Sequence, residues 1–292
     1  MSDQLLKKIR KLEISTRHFV NDVLAGDYHS VFRGQGINFA DIREYVHGDD
    51  IRFIDWNISA RLGSPYVKLF TEERELTVYL LVDMSASHLF ASTGQLKQEI
   101  ITEIAAVLGF SAIRNNDKVS LLLATNTVER FIPAKKGRSH IFRILQELVE
   151  FRPKEKKGNL AEACTFLARV AKKRGIVFVL SDFLDQGFEN AFQLLSRRHD
   201  VIPIVIRDRL ESQWPSVGRV QLQDLETGQQ LLINMADPKV RNVFSQQMKE
   251  NKESLIAFFK KIKKSPIFIE TQSDYFSQLR LYFEQRKKRL RP

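Results

Sequence analysis

Short apolar runs recur along this chain, at residues 76–82, 119–124, 176–180, 201–206 and 267–269. Between them, apolar residues return every three or four positions. In residues 93–114, Leu96, Ile100, Ile104, Leu108 and Ala112 share one face, and residues 138–151, 160–173, 188–198 and 237–263 follow the same rhythm. Near-continuous apolar runs predict strands covered on both faces, and the periodic stretches predict amphipathic helices. Their alternation predicts an open, doubly wound, mostly parallel α/β sheet. Two features depart from it. Val128–Ile132 follows the second run closely enough to form an antiparallel edge hairpin with it. Residues 218–223 and 229–233 flank Glu226, Thr227 and Gly228 and predict an inserted hairpin.

The pattern before residue 76 is different. Leu5, Ile9, Leu12, Phe19, Val23 and Leu24 have near-helical spacing, and Gly26 would stop that helix. Residues 30–75 are punctuated by Gly34, Gly36, Gly48 and Gly63 and alternate in short segments, Asp50–Trp56 and Tyr66–Phe70, that predict strands and hairpins. The expected division is therefore an appendage over 1–75, helix plus β-hairpins, and an α/β domain over 76–292.

The first long apolar run ends in Asp83, Met84, Ser85, Ala86 and Ser87. Alternate residues of an extended loop point the same way, so the Asp83 carboxylate and the Ser85 and Ser87 hydroxyls can converge. Three hard oxygens suit Mg²⁺ or Mn²⁺, held loosely with water in the remaining positions. Asp182 closes another predicted strand, and parallel strands would bring it to the same edge of the sheet. The plainer alternative is that Asp83 and Ser85 form a turn and cap the next helix. The D-x-S-x-S spacing with a distant Ser181-Asp182 resembles the metal-ion-dependent adhesion site of von Willebrand factor type A domains. In that family a threonine usually adds a ligand. Here Gly158 stands at the matching place, leaving water or the side-chain oxygen of neighbouring Asn159 to fill it.

Residues 33–75 carry Arg43-Glu44-Tyr45, Gly48-Asp49-Asp50, Arg52, Ile54-Asp55-Trp56, Ala60-Arg61 and Glu72-Glu73-Arg74-Glu75. This segment resembles the signature of domain-of-unknown-function family 58, the MoxR-associated proteins, and the likeness continues to Ser181-Asp182-Phe183. The resemblance implies a von Willebrand factor A-like fold and a MoxR-type AAA+ ATPase as partner. Physically, Arg43, Arg52 and Arg61 can form bidentate pairs with Glu44, Asp49, Asp50 or Asp55. A buried network bracing the hairpins is the favoured reading, with Trp56 as a packing anchor. A partner-docking surface built on Arg43, Asp49, Asp50 and Arg52 is the sharper one.

Composition narrows the function. The chain has 292 residues, 43% of them hydrophobic and 28% charged, which is ordinary for a folded protein. A lone cysteine, Cys164, excludes an internal disulfide and falls in a helical core pattern. With no signal-like N-terminal run and no membrane-length apolar stretch, a cytoplasmic location is expected. There is no phosphate-binding G-x-x-x-x-G-K-[ST] loop, G-x-S-x-G elbow or H-E-x-x-H helix, so an enzyme is not expected. His88 is expected to face solvent beside the metal loop. The net charge of +11 is partly gathered at Lys260–Lys264 and Arg286–Arg291. That supports a rival function, peripheral binding to an anionic membrane or nucleic acid. No aromatic residues interleave the basic tail, so nucleic acid is not the expected partner, and a solvated helix face with a frayed tail explains the charge more simply. The leading expectation is a non-enzymatic, metal-dependent module that joins a MoxR-type ATPase to a protein client. An unassigned hydrolase ranks third.

Overall fold

Two antiparallel strands frame the family-signature segment. In this computed structural model, which describes residues 9–10, 12–14, 16, 38–71, 75–89, 96–226 and 228–290, β1 (Asn38–Glu44) pairs with β2 (Tyr66–Thr71), Glu44 opposite Tyr66. Between them the chain does not form the further strand expected at Asp50–Trp56. It makes a 3-10 turn, Ile51–Phe53, and then helix α1 (Trp56–Leu62). The reason is local. Asp50 accepts a hydrogen bond from the Arg52 amide, and Asp55 accepts from the Asn57 and Ile58 amides. Aspartates placed to cap a turn outweigh the β preference of the isoleucines around them. Gly63 ends the helix at φ 75°. Trp56 is 70% exposed, so it is not the packing anchor its size implied.

By their contacts the residues fall into two units, Arg33–Leu76 and a larger one made of Met1–Phe32 with Thr77–Pro292. The described positions between 9 and 16 fall in the larger unit. Of the helix expected over 4–25, the described positions between 9 and 16 are helical, with Ile9 and Leu12 buried. Its remaining positions lie outside the described residues, as do Gly34, Gly36, Glu72, Glu73, Arg74 and Arg291.

The larger unit follows the predicted alternation closely. Its elements are β3 (Thr77–Asp83), α2 (Lys97–Arg114), β4 (Lys118–Ala124), β5 (Val128–Lys135), α3 (Arg138–Glu150), α4 (Leu160–Val170), β6 (Ile176–Ser181), α5 (Glu189–Arg198), β7 (Asp200–Arg207), the short α6 (Arg209–Ser212), β8 (Arg219–Gln223), β9 (Gln230–Asn234), α7 (Pro238–Lys261), β10 (Ile267–Glu270) and α8 (Tyr275–Leu290). The six-stranded sheet runs β10-β7-β6-β3-β4-β5, parallel except for β5, which pairs antiparallel with β4. This is an α/β fold with a mostly parallel sheet. All seven residues of β3 are buried. Tyr79, Leu81, Val177 and Val179 pack against α4, α5 and α7, where Phe183 meets Phe259 edge to face with centroids 5.5 Å apart. On the other face, Gln98 of α2 donates to the Leu148 carbonyl of α3.

The inserted hairpin forms as β8 and β9, with Gln223 opposite Gln230. The C-terminal basic segment is not a frayed tail as far as Leu290. It belongs to α8, whose Leu279 and Phe283 are fully buried. Arg286 and Lys264 both pair with Asp200, which consumes part of the basic cluster.

Candidate functional site

β3 lies between β4 and β6, so the chain runs from β3 to one side and returns to the other. Strand order reverses at this point. The carboxyl ends of the two strands flanking such a reversal leave a crevice, which is where ligands bind in open α/β sheets. The register pairs Val82 with Leu180. Asp83 therefore leaves β3 level with Ser181, and Asp182 follows at the same edge.

The loop after β3 folds around its aspartate. Asp83 Oδ1 accepts from the Ser85 amide at 2.9 Å, and Oδ2 accepts from Ser181 Oγ at 2.8 Å. The Met84 amide donates to the Ala124 carbonyl and the Ala86 amide to the Lys156 carbonyl, tying the loop to two neighbours. In that frame Ser85 Oγ and Ser87 Oγ come within 3.1 Å. His88 is 1% exposed, so the expectation that it faces solvent is corrected. Its Nε2 is 3.5 Å from Asp83 Oδ2, an electrostatic contact too long to be a hydrogen bond, and neither ring nitrogen has a hydrogen-bond partner. Burial opposes charge on both groups, but each stabilises the other. Asp83 is held well below the usual carboxylate range, at about 2, with the Ser85 and Ser181 donors adding to the effect. His88 is held above the ordinary histidine value by Asp83 and Asp182, against burial and the nearby Lys97.

Asp182 stands beside a second ionic centre. Lys97, the first residue of α2 and fully buried, lies 3.4 Å from Asp182 Oδ2 and also pairs with Glu211 of α6. Arg207 donates from Nε to the Asp182 carbonyl. Burial raises the Glu211 pKa even with Lys97 beside it.

Gly158, matched above to the expected threonine, has no room for a side chain. A Cβ there would lie 2.8 Å from Asp185 Oδ1 and 2.9 Å from Oδ2. The Asp185 carboxylate thus occupies the space of the missing side chain, anchored by the Leu160 amide at 2.9 Å. Burial, and then repulsion from Asp83 and Asp182, push Asp185 up to about 6. Asn159 does a different job from the one expected. Its side-chain oxygen accepts from the Glu162 amide and caps α4, while its own amide donates to the Thr125 carbonyl.

These residues can be tested against a hard cation. The Ser85–Ser87 hydroxyl separation of 3.1 Å matches the roughly 3.0 Å edge of an octahedron with ~2.1 Å metal–oxygen bonds. Burial first, and then the charge of Asp83 and Asp182, raises the Asp185 pKa, so negative charge accumulates at this edge of the sheet. Among the described residues no three His, Cys, Asp or Glu side chains converge tightly enough to chelate a metal by themselves. An ion held by Asp83, Ser85 and Ser87 would have to keep much of its water, as Mg²⁺ does.

The remaining sequence candidates lie elsewhere. Arg43 pairs bidentately with Asp49, at 2.7 and 2.8 Å, and Arg52 pairs with Asp50 at 2.6 Å. Both pairs are exposed, the Arg52 side chain by 81%, so the expected buried network is not what they form. Cys164 is fully buried in the core, where burial pushes its thiol up to about 12, an inert position. Lys97, His88 and Asp185 escaped the sequence reading as site residues. A weak signal existed for Asp185, three positions after Asp182 in Ser181-Asp182-Phe183-Leu184-Asp185. The others are joined to the site only by folding.

Among known proteins, the profile of the family described as protein of unknown function DUF58 matches residues 41–254. The uncharacterized proteins Mb1516 of Mycobacterium bovis and Rv1480 of Mycobacterium tuberculosis are each 31% identical over 245 residues, 83% of this chain and 77% of theirs. Among solved structures, an aerotolerance-related membrane protein from Bacteroides fragilis is 15% identical, with 74% of this chain and all of that one covered and a TM-score of 0.46. BatB from Bacteroides thetaiotaomicron is 12% identical, with 73% and 99% covered and a TM-score of 0.45. No helix among the described residues is long and apolar enough to cross a membrane.

Proposed function

We propose that this chain, which belongs to the DUF58 family of proteins of unknown function, is a metal-dependent protein-interaction module with a von Willebrand factor A-like domain. The observation that supports the reading is the loop of Asp83, Ser85 and Ser87 at the strand-order reversal, its two hydroxyls 3.1 Å apart, with Asp182 leaving the neighbouring strand at the same edge of the sheet. Asp83, Ser85 and Ser87 would hold Mg²⁺ or Mn²⁺, and Asp182 would balance its charge. A bound divalent ion supplies a Lewis-acidic position that a partner's carboxylate can fill. The chain's own residues orient that position through the Ser181–Asp83 hydrogen bond and the Lys97 pair with Asp182.

The partner that fits is a MoxR-type AAA+ ATPase working on a protein client, with this chain as a non-enzymatic adaptor. Two features of the Arg33–Leu76 unit support protein docking. Its Arg43–Asp49 and Arg52–Asp50 pairs are exposed, and Val46, Ile51 and Trp56 expose more than half of their surface. The rival, an anionic surface bound through the C-terminal lysines and arginines, is weakened because Lys264 and Arg286 are spent on Asp200.

Calorimetric titration with Mn²⁺ tests the metal. Binding by the natural chain that is lost in Asp83→Ala supports the reading, and no heat from the natural chain removes it. Co-purification with the ATPase tests the partner. Capture that survives both EDTA and Asp83→Ala would place the contact elsewhere.

A further inference from the structure

We infer that the cavity between α7 and strands β7 and β10 binds a small organic acid, its carboxylate on Arg207 and its apolar body against Phe268 and Met248. The inference is independent of the metal reading above, since none of Asp83, Ser85 and Ser87 lines this cavity.

The helix creates the space. In the second half of α7, Leu255 and Phe259 are buried in the core cluster that contains Val177 and Val205. Going back along the same stripe, the helix carries Lys252, Lys249, Met248 and Ser245 at helical spacing. Polar and basic side chains stand where an amphipathic period requires apolar ones. This half of α7 leaves a cavity of about 230 Å³ against β7 and β10. Register decides which strand residues share it. Phe268 lies opposite Val205 and Glu270 opposite Arg207, and residues two apart on a strand point to the same face. The volume is below the roughly 300–1,000 Å³ of pockets for drug-sized molecules, so the ligand is compact.

Arg207 supplies the anion-binding group. It is 8% exposed, and its Nε donates to the Asp182 carbonyl at 3.2 Å. Among the described residues its two terminal nitrogens have no hydrogen-bond partner and its side chain forms no ion pair. Asp182 and Glu211 act on its charge from further off, but both pair with Lys97. A guanidinium does not deprotonate in a protein, and burying it without a counter-charge is costly. Two free nitrogens in one plane match the two oxygens of a carboxylate. The exposed Lys249 and Lys252 add positive charge at the mouth. Lys252 Nζ lies 5.1 Å from the centroid of the Phe268 ring, and Lys249 stands 4.0 Å from Glu253 in an exposed pair of little weight. Three cationic side chains thus face one lining carboxylate, Glu270, which favours an anion. Val205, Met248 and Phe268 favour one with an apolar body over inorganic phosphate.

Amide NMR titration of the full chain with benzoate, in EDTA, tests the site. Benzyl alcohol carries the ring without the charge, and inorganic phosphate the charge without the ring. Benzoate should give saturable shifts around Arg207, Met248 and Phe268, and neither control should do so at the same concentration. Arg207→Gln should weaken benzoate about tenfold or more, as expected for losing a charged hydrogen-bond donor. Because Arg207 also holds the Asp182 carbonyl, a second variant leaves it in place. Lys249→Gln with Lys252→Gln changes only exposed side chains and should weaken benzoate severalfold. Absence of saturable shifts in the natural chain, or equal affinity in all three proteins, would overturn the site. Phosphate binding as tightly as benzoate at these residues would overturn the assignment to an organic acid.

Discussion

Replacing Gly158 with alanine isolates the geometry that gives this site its character. Gly158 is not among the glycines with positive φ, so alanine meets no backbone strain there. By itself, Gly→Ala at a compatible position stabilises by about 0.4–1 kcal/mol, because the unfolded chain loses freedom. At Gly158 the added Cβ lies 2.8 Å from Asp185 Oδ1, below any real contact. The carboxylate has to withdraw, and doing so breaks its 2.9 Å bond from the Leu160 amide at the start of α4. A hydrogen bond to a charged group contributes about 1.5–3 kcal/mol. The net expectation is destabilisation by about 1–2 kcal/mol. In an Asp185→Ala background the space is already open, so the same substitution should instead stabilise by up to about 1 kcal/mol. The sign therefore reverses between backgrounds, a coupling of about 2 kcal/mol. Urea denaturation of the four proteins in EDTA measures it. An equal effect of Gly158→Ala in both backgrounds would refute the claim that the Asp185 carboxylate fills the space beside Gly158.

Two other perturbations test the charges beneath the site. Lys97→Met strands Asp182 and Glu211 without their shared buried cation and should cost about 3–5 kcal/mol in chemical denaturation. Adding Glu211→Met should recover part of it, and a loss below about 1 kcal/mol would mean the pair is not buried as described. Asp185→Asn keeps an oxygen for the Leu160 amide but removes the charge. Because the folded-state pKa of Asp185 is raised from 3.8 to about 6, the folded chain holds its proton longer than the unfolded one. Stability from this group is thus greatest below pH ~4 and is lost as pH rises towards ~6. In EDTA at pH 7 the asparagine variant should be more stable by about 2 kcal/mol, discounted for the exposed part of the side chain. The difference should close as pH falls to ~4, and a gap that does not change with pH would count against the repulsion.

What can be read along the chain is whatever depends on neighbours in sequence. The strands and helices of the α/β unit lie close to where the apolar periods place them, since burial on one or both faces leaves its period in the side chains. Asp83, Ser85 and Ser87 were legible together because they are near neighbours in sequence, although Ala86–Leu89 turns as a 3-10 helix where an extended loop was expected, and Ser181-Asp182 because a strand end is a local event. Capping was the exception at short range: Asp50 and Asp55 turned an apparent strand into a turn and a helix. Long-range features left no such trace. Lys97 finds Glu211 across 114 positions, and His88, Leu279 and Phe283 are buried by the folded chain. Asp185 reaches the space beside Gly158 only because parallel strands bring loops from distant parts of the chain to one edge. Side-chain period is written locally, but which carboxylates must share a few ångströms of space is fixed by the order in which strands pair.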